Sequence, residues 1–185
     1  MGEDNLADMV IVICGPIASG KSTVARALAQ LLERQGFGVA TIDLDLVYEM
    51  LQTDGSAKSS RATWCRARRA AAGLTDVLLR EGVDVVIAEG DFLTPEERAD
   101  YVDALASDAQ PRFVTMRVSV DIALNRVQGD ASRSLSRDPD FLRRHYEQVD
   151  GAMRTRPETD LVIDASSVGI QDAARAISRW ASRTT

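Results

Sequence analysis

The sequence predicts an α/β fold, a three-layer α/β/α sandwich in which helices cover both faces of a five-stranded parallel sheet. Three observations carry that reading. Five short apolar runs alternate with stretches of helical periodicity, and near-continuous apolar strands joined by helices belong to parallel sheets buried on both sides. The segment Gly15-Pro-Ile-Ala-Ser-Gly20-Lys21-Ser22 matches the phosphate-binding pattern G-x-x-x-x-G-K-[ST] and stands between the first strand and the first helix. A length of 185 residues, 45% apolar and 27% charged, suits one globular domain, with residues 1–8 expected as a flexible tail.

The first strand is Met9–Cys14, an unbroken apolar run. The phosphate loop follows, and helix 20–36 then places Val24, Leu28, Leu31 and Leu32 on one face, with Gly36 as its stop. Glycines let backbone N–H groups curl around phosphate oxygens, and the helix start adds partial positive charge. Gly15, Ala18, Ser19, Gly20, Lys21, Ser22 and Thr23 are therefore the expected nucleotide ligands. Lys21 is expected to reach the β/γ-phosphates and the Ser22 hydroxyl to ligate Mg²⁺. The motif arises by chance in about one chain of this length in a hundred, from average residue frequencies.

The second strand, Val39–Asp43, runs into Asp43-Leu44-Asp45 and a helix over 45–52. Either carboxylate suits Mg²⁺ or the proton of an attacking hydroxyl, with Asp45 favoured as the acceptor-side base and Asp43 for the metal. Asp43 also reads as a helix cap, because Leu46, Val47, Met50 and Leu51 have helical spacing. Tyr48, one turn beyond Asp45, is a candidate pocket wall or a packing residue. Helix 61–81 carries Arg61, Arg66, Arg68 and Arg69 around Trp64, an acceptor grip or a set of surface ion pairs.

The third strand, Val83–Ala88, leads to Glu89-Gly90-Asp91, whose acids are candidates for metal-bound water, for acceptor hydroxyls or for a structural contact. Thr94-Pro-Glu-Glu97 has the form of a capped start for helix 95–107. After the fourth strand, Arg112–Val118, and helix 119–128, Gly129 and Pro139 bracket a segment that reads as a mobile lid. Arg126, Arg133 and Arg137 can then meet polyphosphate, with Arg133 and Arg137 closing over the transferring group. The bland alternative is a solvated charged loop. Helix 138–154 holds His145 among Arg143, Arg144 and Glu147, which predicts a surface histidine. Leu161–Asp164 is the last strand and 170–182 the last helix.

Composition excludes several classes. A net charge of −6 disfavours nucleic acid or a membrane surface as partner. The acidic start, Met1-Gly-Glu-Asp-Asn-Leu-Ala-Asp8, lacks the form of a secretory signal. Cys14 and Cys65 offer no disulfide framework, and reduced thiols suit a cytoplasmic protein.

On these residues the chain resembles the small P-loop kinases of metabolites, namely shikimate, gluconate and adenylylsulfate kinases and chloramphenicol phosphotransferase. Asp43-Leu-Asp45 is similar to the acidic pair after the second strand of adenylylsulfate kinase, and Asp45 to the acceptor-side aspartate of the gluconate and chloramphenicol enzymes. The segment from Arg126 to Arg133 resembles the shikimate kinase lid, which implies Arg126 near adenine and Arg133 on phosphate. The resemblance implies strand order 2-3-1-4-5, ATP and Mg²⁺ as cofactors, and a monomer or homodimer that phosphorylates a small hydroxylated acceptor. Glu89-Gly-Asp91 stands where shikimate kinase has a run of glycines, so no one family's acceptor carries over. An antibiotic-modifying phosphotransferase, a nucleoside monophosphate kinase and a nucleotide-dependent binding or switch module share the same motif.

Overall fold

A computed structural model describes residues 8–52, 60–129, 137–154 and 160–183, with the side chains of 153 and 154 left aside. Five strands form one all-parallel sheet: β1 (Met9–Cys14), β2 (Val39–Asp43), β3 (Val85–Gly90), β4 (Arg112–Arg117) and β5 (Leu161–Asp164), in the order β2-β3-β1-β4-β5. The expected order is the observed one. The helices are α1 (Lys21–Arg34), α2 (Leu44–Leu51), α3 (Arg61–Arg80), α4 (Pro95–Val102), α5 (Val120–Gln128), α6 (Pro139–Arg154) and α7 (Ile170–Ala181). None of the described helices is long and apolar enough to cross a membrane.

Strand periodicity divides the core in two. In β1, Ile11 and Ile13 point to the side covered by α1 and α7, where they meet Leu28, Leu32, Met116 and Ile177. Val10, Val12 and Cys14 point to the other side, against Ala67, Ala71, Phe92 and Tyr101 of α3, α4 and the loop between β3 and α4. All five residues of Val10–Cys14 are fully buried, which is why the strand is apolar throughout instead of alternating.

Two elements, the third strand and helix α4, depart most from expectation. The third strand begins at Val85 instead of Val83, because Asp84 turns its carboxylate onto the Gly38 N–H (2.6 Å). That strand also continues through Glu89 and Gly90, which pair with Ile13 and Cys14. Helix α4 stops at Val102, five residues short of expectation; the Asp76 carboxylate takes the N–H groups of Ala106 (2.8 Å) and Ser107 (3.1 Å) and draws the chain out of the helix.

A buried ion pair joins the layers on the α4 side. Arg98 of α4 meets Asp160 through two bonds, of 3.0 and 2.6 Å, and lies 4.4 Å from the Phe113 ring centroid. Thr115 of β4 donates to the same carboxylate at 3.0 Å. With the Asp160 side chain 3% exposed, Asp160→Ala strands a buried guanidinium. Its expected cost is about 3–5 kcal/mol of unfolding free energy, read from urea denaturation.

Candidate active site

In parallel sheets ligands bind beyond the carboxyl ends of the strands, and all the acids of interest emerge there. The phosphate loop leaves β1 and ends at α1, whose N-cap is Gly20 at φ +94° with no side-chain cap on the first turn. Ala18 also takes a left-handed conformation, φ +61°, a costly state for a residue with a Cβ. The helix start therefore keeps its N–H groups free of side-chain acceptors, the arrangement that binds anions. Lys21 Nζ folds back onto the carbonyls of Gly15 (2.9 Å) and Pro16 (3.3 Å).

A cavity of about 550 Å³ opens from this loop. Ala18, Gly20, Lys21, Ser22 and Thr23 form its floor, with Asp45, Glu89, Asp91 and Trp64 on one side and Phe141, Arg144, His145 and Gln148 of α6 on the other. Register brings the acids together. Asp43 at the end of β2 lies beside Glu89 of β3, and Asp45 follows in the first turn of α2. The close approach depends on Gly90, at φ +151°: a Cβ there would stand 2.5 Å from Leu44 Cβ, at the start of α2.

The acids have different environments. Glu89 is 6% exposed and lines the same groove as Ser22; burial pushes its carboxyl above the usual range, Asp43 and Asp45 add to the rise, and Ser22 and Lys21 pull it back. Asp45 is exposed as a residue at the cavity, yet the protein packed around its carboxyl and the charge of Asp91 also push it up, against the pull of Lys21. Asp43 caps α2, its Oδ1 accepting the Asp45 N–H at 2.9 Å, and it faces a flanking groove shared with Ser22 and Glu89. Among the described residues no three His, Cys, Asp or Glu side chains form a ready-made metal cage. Ser22, Asp43 and Glu89 share one groove and offer oxygens of the kind that Mg²⁺ takes, an ion bound by one or two protein oxygens together with phosphate and water.

Several expectations are relocated. Tyr48 is buried behind Trp64, stacked on it at 4.0 Å between centroids and 20° between planes, so it supports the wall and is not part of the lining. Arg61 lines a neighbouring cavity with Trp64, Cys65 and Asp91. Arg68 is buried and spent: it pairs with Glu97 (3.0 Å) and Asp100 (3.2 Å) and donates to the Asp91 carbonyl (2.9 Å). Arg137 is exposed, outside the cavity lining. Arg133 and most of the expected lid, 130–136, lie outside the described residues.

Arg126 bridges the phosphate loop and the turn after β5, donating to the carbonyls of Ala18 (3.0 Å) and Ala165 (2.8 Å). With Thr23, Met116, Val168 and Ile170 it lines a second, mostly apolar cavity of about 190 Å³.

His145 corrects the expectation of a surface histidine. It is half-buried, lines the main cavity and accepts the Ile17 N–H at 3.2 Å. No local signal announces this, because its partner is 128 positions away.

Comparison with known proteins places these features in context. A family described as "AAA domain" (AAA_33) matches residues 10–133. A cytidylate kinase of Symbiobacterium thermophilum is 30% identical over 131 residues, which is 68% of this chain and 56% of that protein. The chain thus spans little more than half the length of that relative. Among solved structures, a gluconokinase from Sinorhizobium meliloti 1021 superposes with a TM-score of 0.69 at 15% identity, over 95% of this chain and 93% of the other. Shikimate kinase from Acinetobacter baumannii, in complex with shikimate, gives 0.61 at 19% identity, over 92% and 91%. These structural likenesses show the same fold.

Proposed function

The chain belongs to the AAA domain family (AAA_33) of P-loop proteins, and from that membership and the acid-lined cavity at its phosphate loop we propose an ATP- and Mg²⁺-dependent kinase that phosphorylates a hydroxyl of a small molecule. The observation that carries the reading is the shared cavity: Lys21 and an uncapped helix start on its floor, and Asp45 and Asp91 on its wall. A nucleotide switch needs the first feature and has no use for the second.

Loop N–H groups and Lys21 hold the phosphates, while Arg126 and the apolar cavity beside Val168 and Ile170 receive the base. Ser22, with Asp43 and Glu89 on the same flanking groove, would hold Mg²⁺, which would supply charge neutralisation at the transferring phosphoryl group. Asp45 accepts the proton of the attacking hydroxyl, and Asp91 and Trp64 orient the acceptor. Closure by Arg133 and Arg137 is part of the proposal. Arg126→Ala is expected to raise the KM for ATP about tenfold with little change in kcat, measured at saturating acceptor.

Likeness to a cytidylate kinase favours a second reading, a nucleoside monophosphate acceptor. That reading needs a cation for the acceptor phosphate; Arg68 is already neutralised by Glu97 and Asp100, which leaves the role to Arg144 of the cavity wall or Arg61 beside Asp91. The two carboxylates at the acceptor side, Asp45 and Asp91, suit hydroxyl donors better. Mg-ATP turnover against a panel of alcohols, sugars, antibiotics and nucleoside monophosphates separates the two. ADP release stimulated by a phosphate-free alcohol supports the first reading; stimulation by monophosphates alone overturns it in favour of the second. Tight ATP binding without stimulation by any acceptor favours a switch or binding module.

A further inference from the structure

Helix α6 grips the phosphate loop at one residue from both sides. His145 Nε2 accepts the Ile17 N–H at 3.2 Å, and the Tyr146 hydroxyl donates to the Ile17 carbonyl at 2.8 Å. Ile17 and Ala18 also pack on the apolar cluster of Ala123, Val127 and Leu142 that joins α5 to α6. Phosphate loops bind their ligand with backbone N–H groups, and here one such donor is occupied by an imidazole that itself lines the cavity. A ring nitrogen that accepts a hydrogen bond carries no proton, so the bond assigns His145 as the neutral Nδ1–H tautomer. Burial depresses its pKa and Lys21 acts in the same direction, while Asp91 opposes them. The other charged groups lining the cavity are Asp45 and Glu89 across from α6 and Arg144 on α6 itself. His145 lines the cavity that Asp45 and Asp91 also line, the side of the loop to which the terminal phosphate of a donor nucleotide must point for transfer.

We propose that His145 is a positioning residue that reads the terminal phosphate: an incoming phosphate oxygen takes the Ile17 N–H, and the released Nε2 gains a proton from solvent and donates it as a hydrogen bond to that phosphate. One N–H···N bond is exchanged for two bonds to the anion, one of them charge-assisted, and up to one proton is taken up for each triphosphate bound. No covalent bond changes. A diphosphate lacks the terminal group, so on product formation the imidazole returns to Ile17. The inference rests on the nucleoside triphosphate reading above. Because binding takes up a proton, triphosphate affinity strengthens as pH falls toward the free-state pKa of His145, and diphosphate affinity does not.

His145 is the chain's sole histidine, so its imidazole signals in two-dimensional ¹H–¹⁵N NMR need no assignment. The full chain is titrated free, with Mg-ADP and with Mg and a non-hydrolysable ATP analogue. The free protein is expected to show the Nδ1–H tautomer with a pKa below the ordinary value. The analogue raises that pKa by about one unit or more, and ADP by less than about 0.3. In parallel, His145→Ala is expected to weaken analogue affinity about tenfold, change ADP affinity less than about twofold, and abolish the pH dependence of analogue binding. An analogue that binds without moving the His145 signals overturns this inference and leaves the kinase reading intact. Equal weakening of both nucleotides by His145→Ala also overturns it, since a purely structural role predicts that result. If neither nucleotide binds the wild-type chain, the kinase reading falls and this inference with it.

Discussion

Lys21→Ala is expected to lower acceptor-dependent ATP turnover by about 10³-fold or more, the scale on which a phosphoryl-transfer site depends on its charge-stabilising groups. The side chain stands at the start of α1, on the cavity floor, and its ammonium is held only by the Gly15 and Pro16 carbonyls among the described contacts. Those bonds hold the charge at the loop without neutralising it, so it is available to phosphate oxygens at little cost. Removing it takes away charge complementarity that the reacting phosphoryl group requires. The fold depends little on this residue, because no ion pair or core contact of Lys21 is lost. Circular dichroism and the Tm should therefore match the wild type. Turnover within tenfold of wild type in a folded Lys21→Ala protein would defeat the kinase assignment.

Asp45→Asn should cost about 10²–10⁴-fold in kcat if Asp45 takes the hydroxyl proton. Asparagine keeps the size and one acceptor oxygen but cannot take up a proton at neutral pH. The variant also makes two pH predictions with a definite sign. Burial and the facing Asp91 raise the Asp45 carboxyl above its ordinary 3.8. A base must be ionised to work, so wild-type kcat/KM falls on the acid side through a pKa above 3.8, and this limb disappears in Asp45→Asn. Stability moves the other way. A carboxylate whose folded pKa exceeds its unfolded one opposes folding above the folded pKa, and the penalty vanishes below the unfolded pKa. At neutral pH the asparagine variant is thus expected to show a higher Tm as its activity falls, the trade found where function imposes strain. A variant less stable at neutral pH, with its acid limb unchanged, would remove Asp45 from the role of base.

The buried Asp160–Arg98 pair has the opposite profile. It lies on the α4 side of the sheet, away from the lining of the main cavity, so Asp160→Ala is expected to lower stability without changing the pH profile of turnover.

Much of this protein was legible along the chain. The apolar run of Met9–Cys14, the Gly15–Ser22 spacing and the Thr94–Glu97 capping box are local patterns, and each has the predicted structure because each is set by neighbouring residues. Asp43 and Asp45 could be singled out because one ends a strand that the sheet rule aims at ligand and the other follows it by two residues. The sheet order came from family resemblance, since local periodicity carries no information on which strands are neighbours.

The sequence by itself determined the elements, the phosphate loop and the set of acids at the strand ends, all of which depend on contacts within a few residues. Tertiary structure alone decided that Glu89 is buried beside Asp43 and Ser22, that Tyr48 backs Trp64 instead of lining the cavity, and that Arg68 is consumed by Glu97 and Asp100. It alone brought His145 and Tyr146 onto Ile17, 128 and 129 residues away. The physical reason is the same in each case: a charged or aromatic side chain acquires its role from the groups that desolvate, pair or stack with it. In a parallel sheet closed by crossover helices, those groups come from distant parts of the chain.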